Sequence, residues 1–103
     1  MLSRTAGKRA PQGPKYLACL KQLLGKESAS LDAVYAGTAS ALKSAPSRIA
    51  MLRQSQRAWL QFQESNCAFA KAVAGESGEE FFVDCMLRST IERRVELRSL
   101  VGD

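Results

Sequence analysis

Apolar side chains recur at helical spacing through most of the chain, and the clearest series lies between Ser47 and Ala74. At about 100° per residue, one face of this segment collects the apolar side chains. Pro46 closes the preceding turn, Ser47 is placed to cap the first amides, and Gly75 follows the last turn. The pattern therefore predicts one long helix. Its apolar face comprises Ile49, Leu52, Trp59, Leu60, Cys67 and Ala70, with Met51, Phe62, Phe69 and Val73 along one shoulder.

Two shorter helices are predicted before this one. Residues 16–24 have apolar spacing that suits a short helix, which Gly25 would end. Ser30 is placed to cap a second helix that ends near Ser44, before Pro46.

A last helix is predicted after an acidic, glycine-containing turn at residues 75–80, where Ser77 and Glu80 have the spacing of a capping box. Its apolar stripe comprises Phe82, Val83, Met86, Leu87, Thr90, Leu97 and Val101. No strand-like alternation is visible. The expected fold is therefore all-α, a small bundle of about four helices whose last two form an antiparallel hairpin, with Leu52, Trp59 and Leu97 in the core.

Two glutamines interrupt the apolar face of the long helix. Gln56 and Gln63 lie inside the stripe, and an unpaired buried amide would cost about 1–3 kcal/mol. Two interpretations follow: a recognition surface opens at this point, or a buried hydrogen-bond network holds the helices in register.

Charge is distributed unevenly along the chain. The net charge is +5, but residues 1–26 hold six basic residues and no acidic one, so the remainder carries a net charge of −1. A basic stripe across the fold, as nucleic-acid binding requires, is not expected. Residues 1–15 are rich in Gly, Pro and basic residues and predict a flexible leader ahead of a helical domain at residues 16–103. The leader is either a solvated arm or a contact for an anionic surface.

The leader also lacks the apolar region and cleavage site of a signal peptide, and no apolar run reaches membrane-spanning length.

Candidate catalytic residues are sparse. The chain has no His, no metal-ligand spacing and no phosphate-binding glycine loop, so we expect neither an enzyme nor a cofactor. Glu79 and Glu80 are adjacent carboxylates at a helix start, where such residues usually stabilise the helix dipole.

The three cysteines raise the question of a disulfide. Cys67 and Cys85 are equally distant from Glu76, so an antiparallel hairpin centred there places them at the same level. A bond between them would contribute about 3 kcal/mol and imply an oxidising compartment, whereas free thiols are the alternative. Strict helical geometry places Cys85 away from the centre of its stripe. Cys19 pairs with a residue outside this sequence, pairs between chains, or is a buried free thiol.

The sequence LRQSQRAWLQFQESNC at 52–67, followed by CMLRSTIERRVEL at 85–97, resembles the LprI-like lysozyme-inhibitor family. The family pattern of Leu, Gln-Arg-x-Trp, two Cys and Thr-x-x-Arg is met, in order, by Leu52, Gln56, Arg57, Trp59, Cys67, Cys85, Thr90 and either Arg93 or Arg94. Upstream, Leu31 and Tyr35 are similar to an L-x-x-x-Y element of that family.

The resemblance implies a bacterial, periplasmic or secreted helical domain with the two central cysteines bonded. Gln56, Thr90 and Arg94 are polar residues at signature positions within the apolar stripes, and we expect them to form one architectural network between the last two helices.

The activity associated with the family is inhibition of lysozyme, so the expected partner is a lysozyme-type muramidase. A structural or assembly role in the envelope is the alternative. The candidate partner contact is the acidic turn, whose carboxylates would steer toward a basic partner or merely solvate the turn. Its members are Glu76, Glu79, Glu80 and Asp84.

Overall fold

The computed structural model describes residues 13–100, which form three α-helices and one short 3-10 turn. Helix α1 spans Pro14–Ala41, α2 spans Pro46–Val73 and α3 spans Gly78–Leu100, with the 3-10 turn at Gly75–Ser77 between α2 and α3. The all-α expectation is confirmed, since this part of the chain contains no strand. The predicted count of four helices is wrong.

The two short helices predicted before residue 45 are one continuous helix, α1. Gly25 and Ser30 lie inside α1 and neither ends nor caps a helix. A glycine in a helix interior costs only about 1 kcal/mol relative to alanine. Leu20 before Gly25 and Leu31 after it are both buried in the core, so packing on both sides of the glycine offsets this cost and α1 continues past it.

Helix α1 begins at Pro14, two residues ahead of the predicted domain start, and Pro suits the first helical position because its missing amide hydrogen has no helical partner there. Residues 1–12, most of the predicted leader, lie outside the described residues. The same preference corrects the start of α2. Pro46 is its first residue, so the cap position falls on Ala45 and not on Ser47.

Glycines shape the short connection between α2 and α3. Gly75 has φ +61°, a left-handed conformation that side chains disfavour, and α2 ends just before it as predicted. Gly78 is required for a different reason. A Cβ at Gly78 would lie 2.9 Å from the carbonyl oxygen of Lys71, so the two helices approach closely there only because this residue has no side chain.

Helix α3 is the central element, because it packs against both α1 and α2, whereas α1 and α2 contact each other far less. The helices form an elongated body of 50 × 23 × 22 Å. Its core consists of two clusters. One contains Leu20, Val83 and Leu87, and the other contains Leu31, Leu52 and Leu97.

The predicted core residues are placed unequally. Leu52 and Leu97 are buried, but Trp59 is only half-buried at the edge of their cluster. The shoulder of α2 is exposed to solvent, because it lies away from the face of α2 that packs on α3. Met51, Phe62, Phe69 and Val73 are 61–68% exposed.

A disulfide joins Cys67 of α2 to Cys85 of α3, with the Cα atoms 5.5 Å apart. The predicted pairing is therefore present in the structure. Cys19 is a free and exposed thiol, which excludes the interpretation of a buried one. None of the three described helices has the length and apolar character needed to span a bilayer.

Candidate functional site

A buried glutamine organises the part of the α2–α3 interface nearest the disulfide. The Nε2 amide of Gln63 donates to the hydroxyl of Ser89 at 2.6 Å, to the hydroxyl of Thr90 at 3.1 Å and to the carbonyl of Met86 at 3.3 Å. Gln63 and Thr90 are both buried. Because the Nε2 donor of Gln63 has hydrogen-bond partners on α3, it helps to fix the position of α2 relative to α3 without the cost of an unpaired donor.

A buried arginine organises the same interface further along. Arg93 is 6% exposed, and its guanidinium uses all three nitrogens. It donates at 2.9 Å to Gln56 Oε1, to Ser55 Oγ and to Glu96 Oε1, and it lies 5.9 Å from the centre of the Trp59 ring. These partners satisfy the requirement that a buried guanidinium be hydrogen-bonded.

The expected single network of Gln56, Thr90 and Arg94 is wrong. Gln56 bonds Arg93, whereas Thr90 bonds Gln63. Arg94 turns to the other neighbour of α3 and donates to Glu27 of α1 at 3.1 Å. The reason is that successive residues of a helix point about 100° apart, and α3 has a different helix on each side.

A cleft opens where α1 and α2 diverge above α3, and its volume is about 610 Å³. Its walls consist of residues about one turn apart on the two outer helices, and α3 forms its floor. Helix α1 contributes Leu24, Ser28, Leu31, Asp32 and Tyr35; α2 contributes Arg53, Gln56, Arg57, Trp59, Leu60 and Gln63; and α3 contributes Met86 and Thr90.

Trp59 lines this cleft and also packs, half-buried, against the cluster of Leu31, Leu52 and Leu97, so its prediction as a core residue holds only in part. Geometry supports the hydrogen-bond interpretation of the interrupting glutamines, and the recognition surface stays a prediction. Gln56 and Gln63 belong to buried hydrogen-bond groups, and both also line an open surface. The cleft itself was not expected from the sequence, because its existence depends on the divergence of α1 from α2.

The acidic turn is less uniform than the sequence suggested. Glu76 is exposed, Glu79 forms an exposed ion pair with Lys21 at 3.1 Å, and Asp84 pairs with Arg88 at 2.8 Å. Among the described residues, no group of three or more Cys, Asp or Glu side chains is placed to hold a metal ion.

The prediction that Glu80 contacts a partner is wrong, because its side chain is buried and only 6% exposed. Its Oε2 accepts a hydrogen bond from the amide of Gly13, the residue that precedes α1, at 3.2 Å. A carboxylate at that position satisfies an end amide and interacts favourably with the positive end of the helix dipole. Glu80 therefore joins the start of α3 to the start of α1.

Sequence reasoning missed three contributors to these sites. Ser55 and Glu27 accept hydrogen bonds from arginines that are distant in sequence, and no local pattern indicates such a pairing. Gly78 could have been suspected, because a second glycine close to Gly75 in a short connection often marks a close backbone approach.

The sequence was compared with known protein families, curated proteins and solved structures. The family model described as lysozyme inhibitor LprI matches residues 6–97. Neither the curated proteins nor the solved structures contain a significant match. The matched region includes all of α2, the disulfide and the buried polar groups of the α2–α3 interface. Because the match covers most of the chain, this protein belongs to the LprI lysozyme inhibitor family.

Proposed function

We propose that this domain is an exported binding module that inhibits a lysozyme-type muramidase through protein–protein contact. The observation that carries the proposal is the family match over residues 6–97. The structure is compatible with this proposal. The disulfide and the buried hydrogen bonds between α2 and α3 hold these helices in place, so the domain presents a preformed surface to a partner.

The Cys67–Cys85 disulfide supports export. Disulfides persist in oxidising compartments and are rare in the cytosol, and this one links two long helices of a small domain. A periplasmic or secreted location is therefore part of the proposal.

The proposed contact is the end of the molecule at the α2–α3 connection, with Glu76 and Glu79 as its charged groups. Both carboxylates are exposed and would attract a partner with a basic surface. The disulfide holds the helices beneath this connection, so little conformational entropy is lost when it docks. Glu80 is excluded from this contact by its burial, and Asp84 contributes through an ion pair that a partner would have to share.

The proposal is tested by titrating muramidase lysis of bacterial cell walls with three proteins at low and moderate salt. These are the wild type, Glu76→Gln/Glu79→Gln, and the matched control Glu64→Gln/Glu92→Gln. The control removes the same charge from exposed sites on α2 and α3. We expect the wild type and the control to inhibit equally, and the turn variant to require about tenfold more protein at low salt, equivalent to about 1.4 kcal/mol.

Two results would contradict parts of the proposal separately. If the wild type leaves several muramidase types fully active, inhibition is rejected. If the turn variant inhibits as well as the control, inhibition stands and the acidic contact is rejected.

A second candidate function, structural assembly in the envelope, is favoured by the exposed shoulder of α2. Met51, Phe62, Phe69 and Val73 lie within about 40° of one line along the helix and extend over about 33 Å. The series is nearly symmetric about Phe62, so two copies of α2 crossing in opposite directions would pair Phe62 with itself and Met51 with Val73. Such a self-complementary contact is the geometry of a twofold dimer.

Sedimentation velocity over a range of concentrations tests this second candidate. We expect a concentration-dependent dimer that Phe62→Gln abolishes and that the control Val95→Gln leaves intact, since Val95 is similarly exposed but lies on α3. A wild type that remains monomeric at every concentration removes the candidate.

A further inference from the structure

We propose that the cleft between α1 and α2 is a binding site for a small amphiphilic carboxylate, an alkyl chain with one anionic head group. This site is lined by different residues from the acidic turn, and the proposal does not depend on muramidase inhibition.

The walls of the cleft supply the apolar half of the site. Leu24 and Leu31 face it from α1, Trp59 and Leu60 from α2, and Met86 from α3. Leu60 is 48% exposed, so apolar surface in a concave site remains in contact with water. A ligand that covered this surface would gain about 25 cal/mol per Å². The volume of about 610 Å³ lies within the usual range for small-molecule sites.

Each of the two glutamines that line the α2 wall has one polar group already paired within the protein. The Nε2 amide of Gln63 donates to α3, and Gln56 Oε1 accepts from Arg93. These two groups are already used within the protein, and the apolar side chains of the walls favour an alkyl chain over a sugar, which needs many hydrogen bonds.

Two arginines supply the charged half of the site. Arg53 and Arg57 lie one turn apart on α2, both line the cleft and both are exposed. Within residues 13–100 neither forms an ion pair or a hydrogen bond, in contrast to Arg93 and Arg94 of α3. Asp32 is the acidic residue among those that line the cleft, which leaves the lining with a net positive charge.

The chemistry of this pair selects an anionic head group. Like charges four residues apart on a helix repel each other, and a carboxylate between them removes that repulsion. A guanidinium also matches a carboxylate with two parallel hydrogen bonds. From Leu24 to Tyr35 the wall of α1 is about 16 Å long, which gives an alkyl chain a groove to follow away from the arginines.

The test uses the fluorescence of Trp59, the single tryptophan of the chain and a residue of the cleft wall. The intact protein is titrated with laurate below the concentration at which laurate forms micelles. Dodecyltrimethylammonium provides the same chain with the opposite charge, and butyrate provides the same head group with a short chain. We expect saturable binding of one laurate per chain and at least tenfold weaker binding of both comparison compounds.

Matched variants locate the binding. Arg53→Gln/Arg57→Gln is expected to weaken laurate binding at least tenfold, whereas Arg48→Gln/Arg98→Gln, which removes two exposed arginines outside the cleft lining, leaves it unchanged. Leu60→Gln tests the apolar wall and should also weaken binding. Thermal unfolding of each variant establishes that it is folded.

Three outcomes would overturn the proposal. These are a laurate titration that does not saturate, equal binding of dodecyltrimethylammonium, and laurate binding by Arg53→Gln/Arg57→Gln that equals that of the arginine control.

Discussion

The two sides of α3 are built from different chemistry. On the side of α1 the contacts are mainly apolar, with Leu20 packed against Val83 and Leu87. On the side of α2 the apolar contact of Leu52 with Leu97 is joined by a disulfide, a buried glutamine and a buried arginine. Apolar contact is non-directional, whereas hydrogen bonds and disulfides require specific geometry. The α1 side therefore contributes mainly burial, while the α2 side also fixes how the helices align.

Adjacent arginines show this difference within two residues. Arg93 points to α2, where it is buried and bonded to three side chains, whereas Arg94 points to α1 and forms one ion pair with Glu27, in which the side chains are 25% and 27% exposed. An arginine therefore joins several side chains on the α2 side of α3 and makes a single ion pair on the α1 side.

The largest expected effect is on the apolar side. Leu87→Ala removes a buried side chain of the α1–α3 cluster and should lower the free energy of unfolding by about 2–5 kcal/mol. Urea denaturation measures the change. Val95→Ala, at an exposed position of the same helix, is the control and should change stability by less than about 0.5 kcal/mol.

Loss of the disulfide should have the next largest effect. Cys67→Ser/Cys85→Ser is expected to destabilise the domain by about 3 kcal/mol, because the unfolded chain regains the freedom that the bond removes. Cys19→Ser is the control, since that thiol is free and exposed. A double variant that unfolds at the wild-type temperature would show that the polar contacts alone align α2 and α3.

Substitutions of Arg93 and Arg94 should have smaller effects on stability and compare the two sides of α3 directly. Arg93→Met should cost about 1.5–3 kcal/mol, the value of hydrogen bonds made by a charged group. Arg94→Met should cost less than about 1 kcal/mol, because its ion pair is partly solvated. Equal losses in thermal unfolding experiments would mean that the two sides of α3 do not differ as described.

The smallest expected effect is a gain. Gly25→Ala should stabilise the domain by up to about 1 kcal/mol, because Gly25 lies in the interior of α1 and an added Cβ meets no atom within 4 Å. Gly78→Ala is the opposing case, since its Cβ would collide with the Lys71 carbonyl oxygen. Gly78→Ala should therefore lower the unfolding temperature, as differential scanning calorimetry would show.

Local signals predicted several features of this fold correctly. The long helix, the glycine that ends it and the partners Cys67 and Cys85 all follow from spacing, turn chemistry and the family pattern. Gln56 and Gln63 were also recognised as residues that need polar partners. Each of these conclusions depends on residues near one another in sequence or on the sequence pattern of the family.

The errors concern contacts between distant parts of the chain. The local sequence predicts Glu80 as an exposed turn residue, but Gly13 lies beside it in the fold. It also predicts that Gly25 ends a helix, but packing on α3 stabilises α1 on both sides of this glycine. Trp59 is half-exposed because α1 and α2 diverge, and helical periodicity carries no information about that divergence.

The most direct test of muramidase inhibition through the α2–α3 connection is hydrogen exchange of the domain, free and mixed with an equimolar muramidase. We predict that amides of residues 74–79 exchange more slowly in the mixture, while the exchange of the residues around the cleft and along the exposed shoulder of α2 is unchanged. Unchanged exchange at residues 74–79, whether or not another surface is protected, would contradict it.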